Sequence, residues 1–256
     1  MVRGPVRVER KENFNYGDDL GLLAQLEITY NTGDMVVVES DDTWQSLPSA
    51  IVSSEFYDGK VYDTWEEIAD WSTLNYESSS CVGVKSLSFP SASLVAPDAP
   101  PVRITQKIEP IDIITSPTGK TIIGFGQNIV GVVQVQSLHA SFGHEISSVY
   151  IEVPEDGEIS TRPLREAECT DRIICSGTTL EFWKPKFTFH GFRYVGVNHW
   201  PGVPSKKNFT ALVIHSDMQR RGWFSCSDAL ANMLHETPYG ACVATSFLFQ
   251  KIVRSG

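Results

Sequence analysis

The chain has 256 residues, 41% of them hydrophobic, and a formal net charge of −10 at pH 7. This length accommodates one large domain or two ordinary ones, each with its own core. The acidic balance argues against nucleic acid or an anionic membrane as a partner, because both attract basic surfaces. The start, MVRGPVRVERKENFNY, lacks the apolar run of a secretory signal, and no stretch approaches membrane-spanning length, so we expect a cytoplasmic location rather than secretion.

Alternating apolar and polar residues predict strands along most of the chain. LLAQLEITY, the turn NTGD and MVVVES predict a β-hairpin, with Gly33 supplying the positive φ that a tight turn needs. Further strands are predicted in GKVYDTW, PVRITQKIEPIDIITS, KTIIGFGQNIVGVVQVQSL, ISSVYIEV, DRIICSG, TLEFWKPKFTF, GFRYVGVNHW and FTALVIHSD. Their spacing is typical of β-sandwiches.

A composition break and a late helical pattern predict the domain organisation. Residues 89–103, FPSASLVAPDAPPVR, contain four prolines and are predicted to link two units. Helical periodicity is clear in DALANMLHE, with Ser227 or Asp228 as the N-cap. We therefore predict an all-β fold of two consecutive β-sandwich units, followed by a first helix. The predicted boundaries are 1–98, 99–217, 218–238 for the helical segment and 239–256 for a tail.

Most of the reactive side chains fit structural roles. The acidic run IEVPEDGEIS is bracketed by Pro154 and Gly157, which predicts a solvated hairpin turn rather than an acid–base pair. His190 lies among aromatic residues on a strand, and we expect a hydrogen-bonded structural histidine. The histidines have no metal-ligand spacing, and the five cysteines form no CxxC pair, so we expect reduced thiols.

The stretch SSEFYDGKVYDTWEEIADW is the one candidate for ligand binding. Asp58, Tyr62, Asp63 and Trp65 lie within eight residues of one another. Aromatic faces stack on sugar rings, and carboxylates accept hydrogen bonds from sugar hydroxyls or hold a calcium ion. The alternative is that the aromatic residues pack in a core and that Asp58-Gly59 is a turn. The residue types alone leave both interpretations open.

Several stretches in order over residues 15–236 resemble the N-terminal part of an α-L-rhamnosidase of the large bacterial and fungal type, glycoside hydrolase family 78. They are DDTWQSLPSAIVSSEFYDGKVYDTWEE, LVAPDAPPVR, GFGQNIVGVVQV, GEISTRPLREAECTDRIICSG, FTFHGFRYVGV and HSDMQRRGWFSCSDALANMLHE. The resemblance implies an incomplete carbohydrate-binding-like β-sandwich, then a second β-sandwich, then a six-hairpin (α/α) barrel. It also implies inverting hydrolysis of terminal α-L-rhamnose by two acidic residues, and therefore L-rhamnose-containing glycosides as ligands.

In this family the catalytic acids belong to the barrel, and no position of this chain matches them. We therefore expect a truncated rhamnosidase without catalytic residues and without activity of its own. The alternative is a non-catalytic L-rhamnose-binding or scaffold protein. The resemblance implies no required cofactor, although the first sandwich could hold calcium. At Lys60, however, this chain has a cation where the family pattern usually has a glutamate.

The tail raises a separate hypothesis. In the family, the helix containing ALANMLHE continues into a stretch close to Trp-Gly-Met-Arg-Gly-Asn-Phe-Leu. Codons that encode Tyr239 onward can be chosen so that a shifted frame yields that stretch. We therefore hypothesise that residues from about Tyr239 are translated out of frame, which the sequence of the transcript would decide.

Overall fold

The computed structural model of the chain describes residues 21–74, 76–87 and 99–236. Strands dominate these ranges, and the N-terminal ones are β1 (Gln25–Thr29), β2 (Met35–Glu39), β3 (Gln45–Ser46), β4 (Ile51–Glu55), β5 (Gly59–Asp63) and β6 (Val82–Gly83). The later strands are β7 (Val102–Ile108), β8 (Asp112–Thr115), β9 (Thr121–Leu138), β10 (Glu145–Ile151), β11 (Thr170–Ile174), β12 (Leu180–Trp183), β13 (His190–Asn198) and β14 (Phe209–Ser216). Short 3-10 helices cover Thr64–Glu66, Ser78–Ser80, Arg162–Leu164 and Lys206–Asn208, and the α-helix α1 covers residues 229–236. The predicted all-β class with a single late helix is confirmed.

The predicted hairpin is present as an antiparallel pair of β1 and β2, in which Gln25 faces Glu39 and Thr29 faces Met35. Gly33 has a φ of 91°, a conformation that glycine adopts without a steric penalty. Within the part of the chain that the structure describes, no residue of β1 or β2 is buried.

Strand β9 organises a ten-stranded sheet, whose main path runs β4-β5-β11-β10-β13-β9-β14-β7. Gly124 of β9 pairs with both β8 and β13, whereas Val135 pairs with both β12 and β14. Between these positions the register against β13 shifts, and Gly126 has a φ of 81°. A bulge with a left-handed glycine bends a strand. The two halves of β9 can therefore pair with different strands of a curled sheet.

The main core lies on one face of this sheet. Alternate residues of β14, Phe209, Ala211 and Val213, pack in it with Phe125 and Phe192, whose rings meet edge to face at 5.7 Å between centroids. Further members are Ile123, Ile129, Val133, Val135, Leu138, Ile146, Tyr150, Ile173, Trp183, Val195 and Val197. Burial of such side chains is the main favourable term in folding.

Strands β4 and β5 join the same sheet, although they lie in the predicted first unit. β5 pairs with β11 in parallel, with Val61 opposite Arg172, and β4 pairs with β5. The turn before β5 is held as well, because Thr170 N donates to Asp58 O at 3.0 Å. The domain boundaries drawn from the sequence stay a prediction, and residues 89–98 of the linker lie outside the described residues.

Two predicted strands are shorter than expected. GKVYDTW leaves the strand after Asp63, whose carboxylate accepts a hydrogen bond from Trp65 N at 3.0 Å and begins a 3-10 helix. TLEFWKPKFTF leaves it after Trp183, where Pro185 cannot donate to a strand ladder.

The predicted helix and its cap are confirmed. Asp228 Oδ1 accepts hydrogen bonds from the backbone of Leu230 at 2.8 Å and of Ala231 at 3.2 Å, which is the geometry of an N-cap. The apolar residues Leu230, Met233 and Leu234 of α1 are exposed. The tail from Tyr239, including Cys242, lies outside the described residues. The other four cysteines are free, as predicted.

Gly59 gives a direct test of the joint between β5 and β11. Its φ is 98°, and a Cβ there would lie 2.3 Å from Thr170 O, whereas a Cβ at Gly33, with a φ of 91°, would meet nothing within 4 Å. We expect Gly33→Ala to lower the free energy of unfolding by about 1–2 kcal/mol, because alanine is strained at this positive φ but its Cβ would clash with no other atom. Gly59→Ala should cost more than this, because backbone must also move. Urea denaturation measures both, and equal losses would contradict the proposed contact.

Candidate functional site

Three of the four residues predicted to bind sugar, Tyr62, Asp63 and Trp65, lie on β5 and on the 3-10 helix that follows it. Tyr62 packs against Trp183 at 5.7 Å between ring centroids, and its hydroxyl donates to Glu67 Oε1 at 2.7 Å. Asp63 caps the 3-10 helix. Their polar groups therefore already have partners within the protein.

Asp58 lies apart from the other three residues. It precedes β5, and its Oδ1 accepts a hydrogen bond from Glu168 N at 3.3 Å. Asp58 and Asp63 are five positions apart along extended chain, which corresponds to about 16 Å between their Cα atoms. The structure thus brings Tyr62, Asp63 and Trp65 to one end of β5 and leaves Asp58 at the other end.

Trp65 instead has an aromatic partner that the sequence reasoning missed. Its ring meets the ring of Phe142 edge to face, with 5.1 Å between centroids and an angle of 87° between the planes. Trp65 is 64% exposed and Phe142 is 65% exposed. Phe142 lies in the turn between β9 and β10, 77 positions further along, so no local pattern connects the two. An apolar ring beside Gly143 in a turn was the only available signal.

A buried carboxylate lies at the centre of the sheet. Asp171 Oδ1 accepts a hydrogen bond from Lys60 N at 3.0 Å and lies 3.2 Å from His190 Nε2, while Oδ2 accepts from the Tyr150 hydroxyl at 2.7 Å. The ring of His190 stacks on Tyr150 at 4.1 Å. Burial, reinforced by Asp171, raises the pKa of Tyr150 well above its ordinary value. Asp171 therefore connects β5, β10, β11 and β13, and His190 has the predicted structural role.

Lys60 adds an ammonium group to this cluster. The residue is 1% exposed, and Nζ has no hydrogen-bond partner among the described residues. Nζ lies 5.6 Å from the centroid of the Phe187 ring, in a cation–π contact. Burial lowers the pKa of Lys60 to about 8, although the nearby Asp171 acts in the opposite direction. A buried cation without a hydrogen bond is unfavourable, so we expect Lys60 to destabilise the fold at neutral pH.

An apolar groove with a volume of about 490 Å³ lies on the face of the sheet away from the main core. Its lining residues come from β7, β9, β14, the turn after β4 and the segment after β12. They are Phe56, Val102, Ile104, Val132, Lys184, Pro185, Lys186, Phe187, Thr188, Phe189 and Ile214. The lining contains two lysines and no carboxylate.

The acidic turn between β10 and β11 is structural, as predicted. Glu155 and Glu158 form a bridge around Gly157, whose φ is 77°. Glu155 accepts hydrogen bonds from Arg162 and Ser160, and these partners hold the pKa of its carboxyl below the ordinary value. A glycosidase general acid needs a raised pKa, so Glu155 is unsuited to that role.

The described ranges contain no group of three His, Cys, Asp or Glu residues that could hold a metal ion. Calcium binding at the first unit stays a prediction. No helix within those ranges combines the length and apolar character of a membrane span.

Comparison with known families identifies both parts of the chain. A family described as the alpha-L-rhamnosidase N-terminal domain matches residues 1–106, and one described as the bacterial alpha-L-rhamnosidase concanavalin-like domain matches residues 114–215. Residues 1–106 and 114–215 of this chain thus match two β domains of α-L-rhamnosidases. The resemblance seen in the sequence is therefore confirmed for its N-terminal β domains.

Individual rhamnosidases agree with this assignment. The alpha-L-rhamnosidase of Streptomyces avermitilis is 32% identical over 222 residues, which is 86% of this chain and 22% of that protein. The crystal structure of the enzyme from Aspergillus terreus superposes with a TM-score of 0.87 at 41% identity, covering 93% of this chain and 28% of that chain. The S. avermitilis structure, complexed with L-rhamnose, gives a TM-score of 0.88 at 30% identity over 95% of this chain and 24% of that chain. The chain spans about a quarter of the length of the rhamnosidases that it matches.

The buried lysine gives a pH-dependent prediction. The pKa of Lys60 falls from 10.5 to about 8 on folding, so the unfolded chain binds more protons between these pH values. Stability attributable to Lys60 should therefore rise with pH across this window. Lys60→Met should remove that rise and raise the free energy of unfolding at pH 7 by up to about 3 kcal/mol.

Urea denaturation at pH 7 and at pH 10 would measure both effects, with the exposed Lys207→Met as the matched control. A Lys60→Met protein less stable than the wild type at pH 7 would show that the ammonium group is a net stabiliser.

Proposed function

We propose that the described β domains form the non-catalytic support of an α-L-rhamnosidase and do not hydrolyse glycosides by themselves. The family reaction, inverting hydrolysis of terminal α-L-rhamnose in L-rhamnose-containing glycosides, would then depend on a further, helical domain. The exposed apolar face of α1, with Leu230, Met233 and Leu234, suits contact with such a domain.

One observation carries this proposal. Inverting glycosidases place two carboxyl groups across a sugar-binding cleft, one as acid and one as base. The groove of this chain is lined by apolar residues with Lys184 and Lys186, and no carboxylate reaches it. Asp171 is buried, is not among the groove-lining residues, and lies within hydrogen-bond distance of groups on three other strands. These domains therefore lack an arrangement suited to glycoside hydrolysis at the groove.

The proposal predicts no hydrolysis of 4-nitrophenyl α-L-rhamnopyranoside by the purified 256-residue chain. The measurement is release of 4-nitrophenolate, with the Streptomyces avermitilis enzyme as the positive control. Circular dichroism must show the expected β signal in the same sample. Release above the uncatalysed rate, by protein purified to homogeneity, would refute the proposal.

A second candidate function is carbohydrate binding by the exposed aromatic pair. Trp65 and Phe142 present apolar ring surface to solvent beside Glu66 and Glu67. Aromatic rings stack on the C–H faces of sugars, while neighbouring carboxylates can accept hydroxyl hydrogen bonds. L-rhamnose, with its apolar methyl group, is the ligand we propose for this pair. If calcium binds here, the carboxylates would be its ligands, in addition to the sugar contact.

Calorimetric titration with L-rhamnose, with and without calcium, tests this candidate. Trp65→Ala should weaken binding about tenfold, since one aromatic contact contributes about 1 kcal/mol or more. Trp71→Ala is the matched control, because Trp71 is 69% exposed and has no described ring partner. Equal affinities of the two variants would exclude the aromatic pair as the binding surface.

A further inference from the structure

The apolar groove is built from two different layers of the molecule. Ile104 of β7, Val132 of β9 and Ile214 of β14 form its floor, on the face of the sheet away from the main core. Phe56, Phe187 and Phe189 form its wall, and the rings of Phe56 and Phe189 lie 5.1 Å apart. Ligand pockets typically have volumes of about 300–1,000 Å³ and predominantly apolar linings, and the groove has both properties.

The aromatic wall is fixed to the sheet by hydrogen bonds. Ser54 Oγ donates to Phe187 O at 3.1 Å, and Thr188 Oγ1 donates to Glu55 O at 2.9 Å. Phe187 itself has a φ of 63°, which is unusual for a bulky residue. Strained residues persist where the surrounding structure holds them, often at ligand sites. The wall is therefore held in position before any ligand arrives.

Three lysines surround this wall. Lys184 and Lys186 line the groove, and neither has a salt bridge within the described ranges. Lys60 Nζ lies behind the Phe187 ring, buried and without a hydrogen-bond partner there. Burial is the main cause that lowers the pKa of Lys60, and Asp171 opposes it. The charge of Lys186 lowers this pKa further by a smaller amount. Lys184 and Lys186 thus bring positive charge to the groove in a chain whose net charge is −10, whereas Asp171 offsets part of the charge of Lys60.

We propose that this groove binds a small organic anion, with an apolar body between the phenylalanine wall and the aliphatic floor and its acidic group at Lys184 and Lys186. The apolar lining accounts for the body of the ligand, and the unpaired lysines account for its charge. An anion at the wall would also relieve the repulsion between Lys186 and Lys60. The proposal does not depend on rhamnosidase activity or on sugar binding at Trp65.

The experiment uses two fluorescent probes of similar shape on the full chain. One is 8-anilinonaphthalene-1-sulfonate, an aromatic anion, and the other is its uncharged analogue, N-phenyl-1-naphthylamine. Lys184→Gln with Lys186→Gln should weaken binding of the sulfonate about tenfold, as expected for two partly exposed charge contacts. Binding of the uncharged probe should stay the same. The matched control is Lys120→Gln with Lys207→Gln, which removes the same charge elsewhere.

A groove variant separates this site from other apolar surfaces. Ile104→Asp, on the exposed edge strand β7, should weaken both probes, and circular dichroism must show that its fold is retained. Sulfonate binding that is insensitive to both the Lys184/Lys186 and the Ile104 changes would place the probe elsewhere and overturn the proposal. So would a dimer of the full chain, seen by analytical ultracentrifugation, that Ile104→Asp dissociates, because a second copy would then occupy the groove.

Discussion

The hydrogen bonds of the Asp171 carboxylate hold β5 against the strands that come later in the chain, and the place of β4 and β5 in the sheet depends on this contact. The carboxylate accepts hydrogen bonds from Lys60 N and the Tyr150 hydroxyl and lies within hydrogen-bond distance of His190, so one side chain connects four strands. Leaving such donors unpaired in a dry interior costs about 1–3 kcal/mol for each group. Separation of β5 from β10, β11 and β13 is therefore energetically unfavourable.

In the same cluster, the charge of Lys60 opposes the stability of the fold. Asp171 is well supplied with donors, whereas Lys60 brings a cation that receives no hydrogen-bond partner within the described residues. The ammonium is tolerated because Asp171 and the ring of Phe187 offset part of its desolvation. Phe187 also forms part of the groove wall, so the buried cluster and the groove share one residue. A change in the charge of Lys60 is thus expected to affect both.

The sequence was sufficient for most strands, but it gave no prediction for β3, β4 and β6 and was insufficient for the long-range contacts. Alternation predicted β1, β2 and β9 to β14, and the helix cap was narrowed to Ser227 or Asp228, because period and capping are local properties. Asp171 appeared only as one residue of a predicted strand, since its partners are Lys60, 111 positions away, and residues of two other strands. Phe142 was missed for the same reason. Asp58 and Asp63 were grouped because they are close in sequence, whereas the extended strand between them separates their side chains.

The parallel pairing of β5 with β11 also constrains how the chain is assembled on the ribosome. Strands β4 and β5 are synthesised more than a hundred residues before Asp171. Until then the open edge of β5 has no partner, and Lys60 stays hydrated. Contacts between such distant positions form late and slowly. The β4–β5 hairpin is thus synthesised early, and its edge is covered only after β11 has been added to the chain.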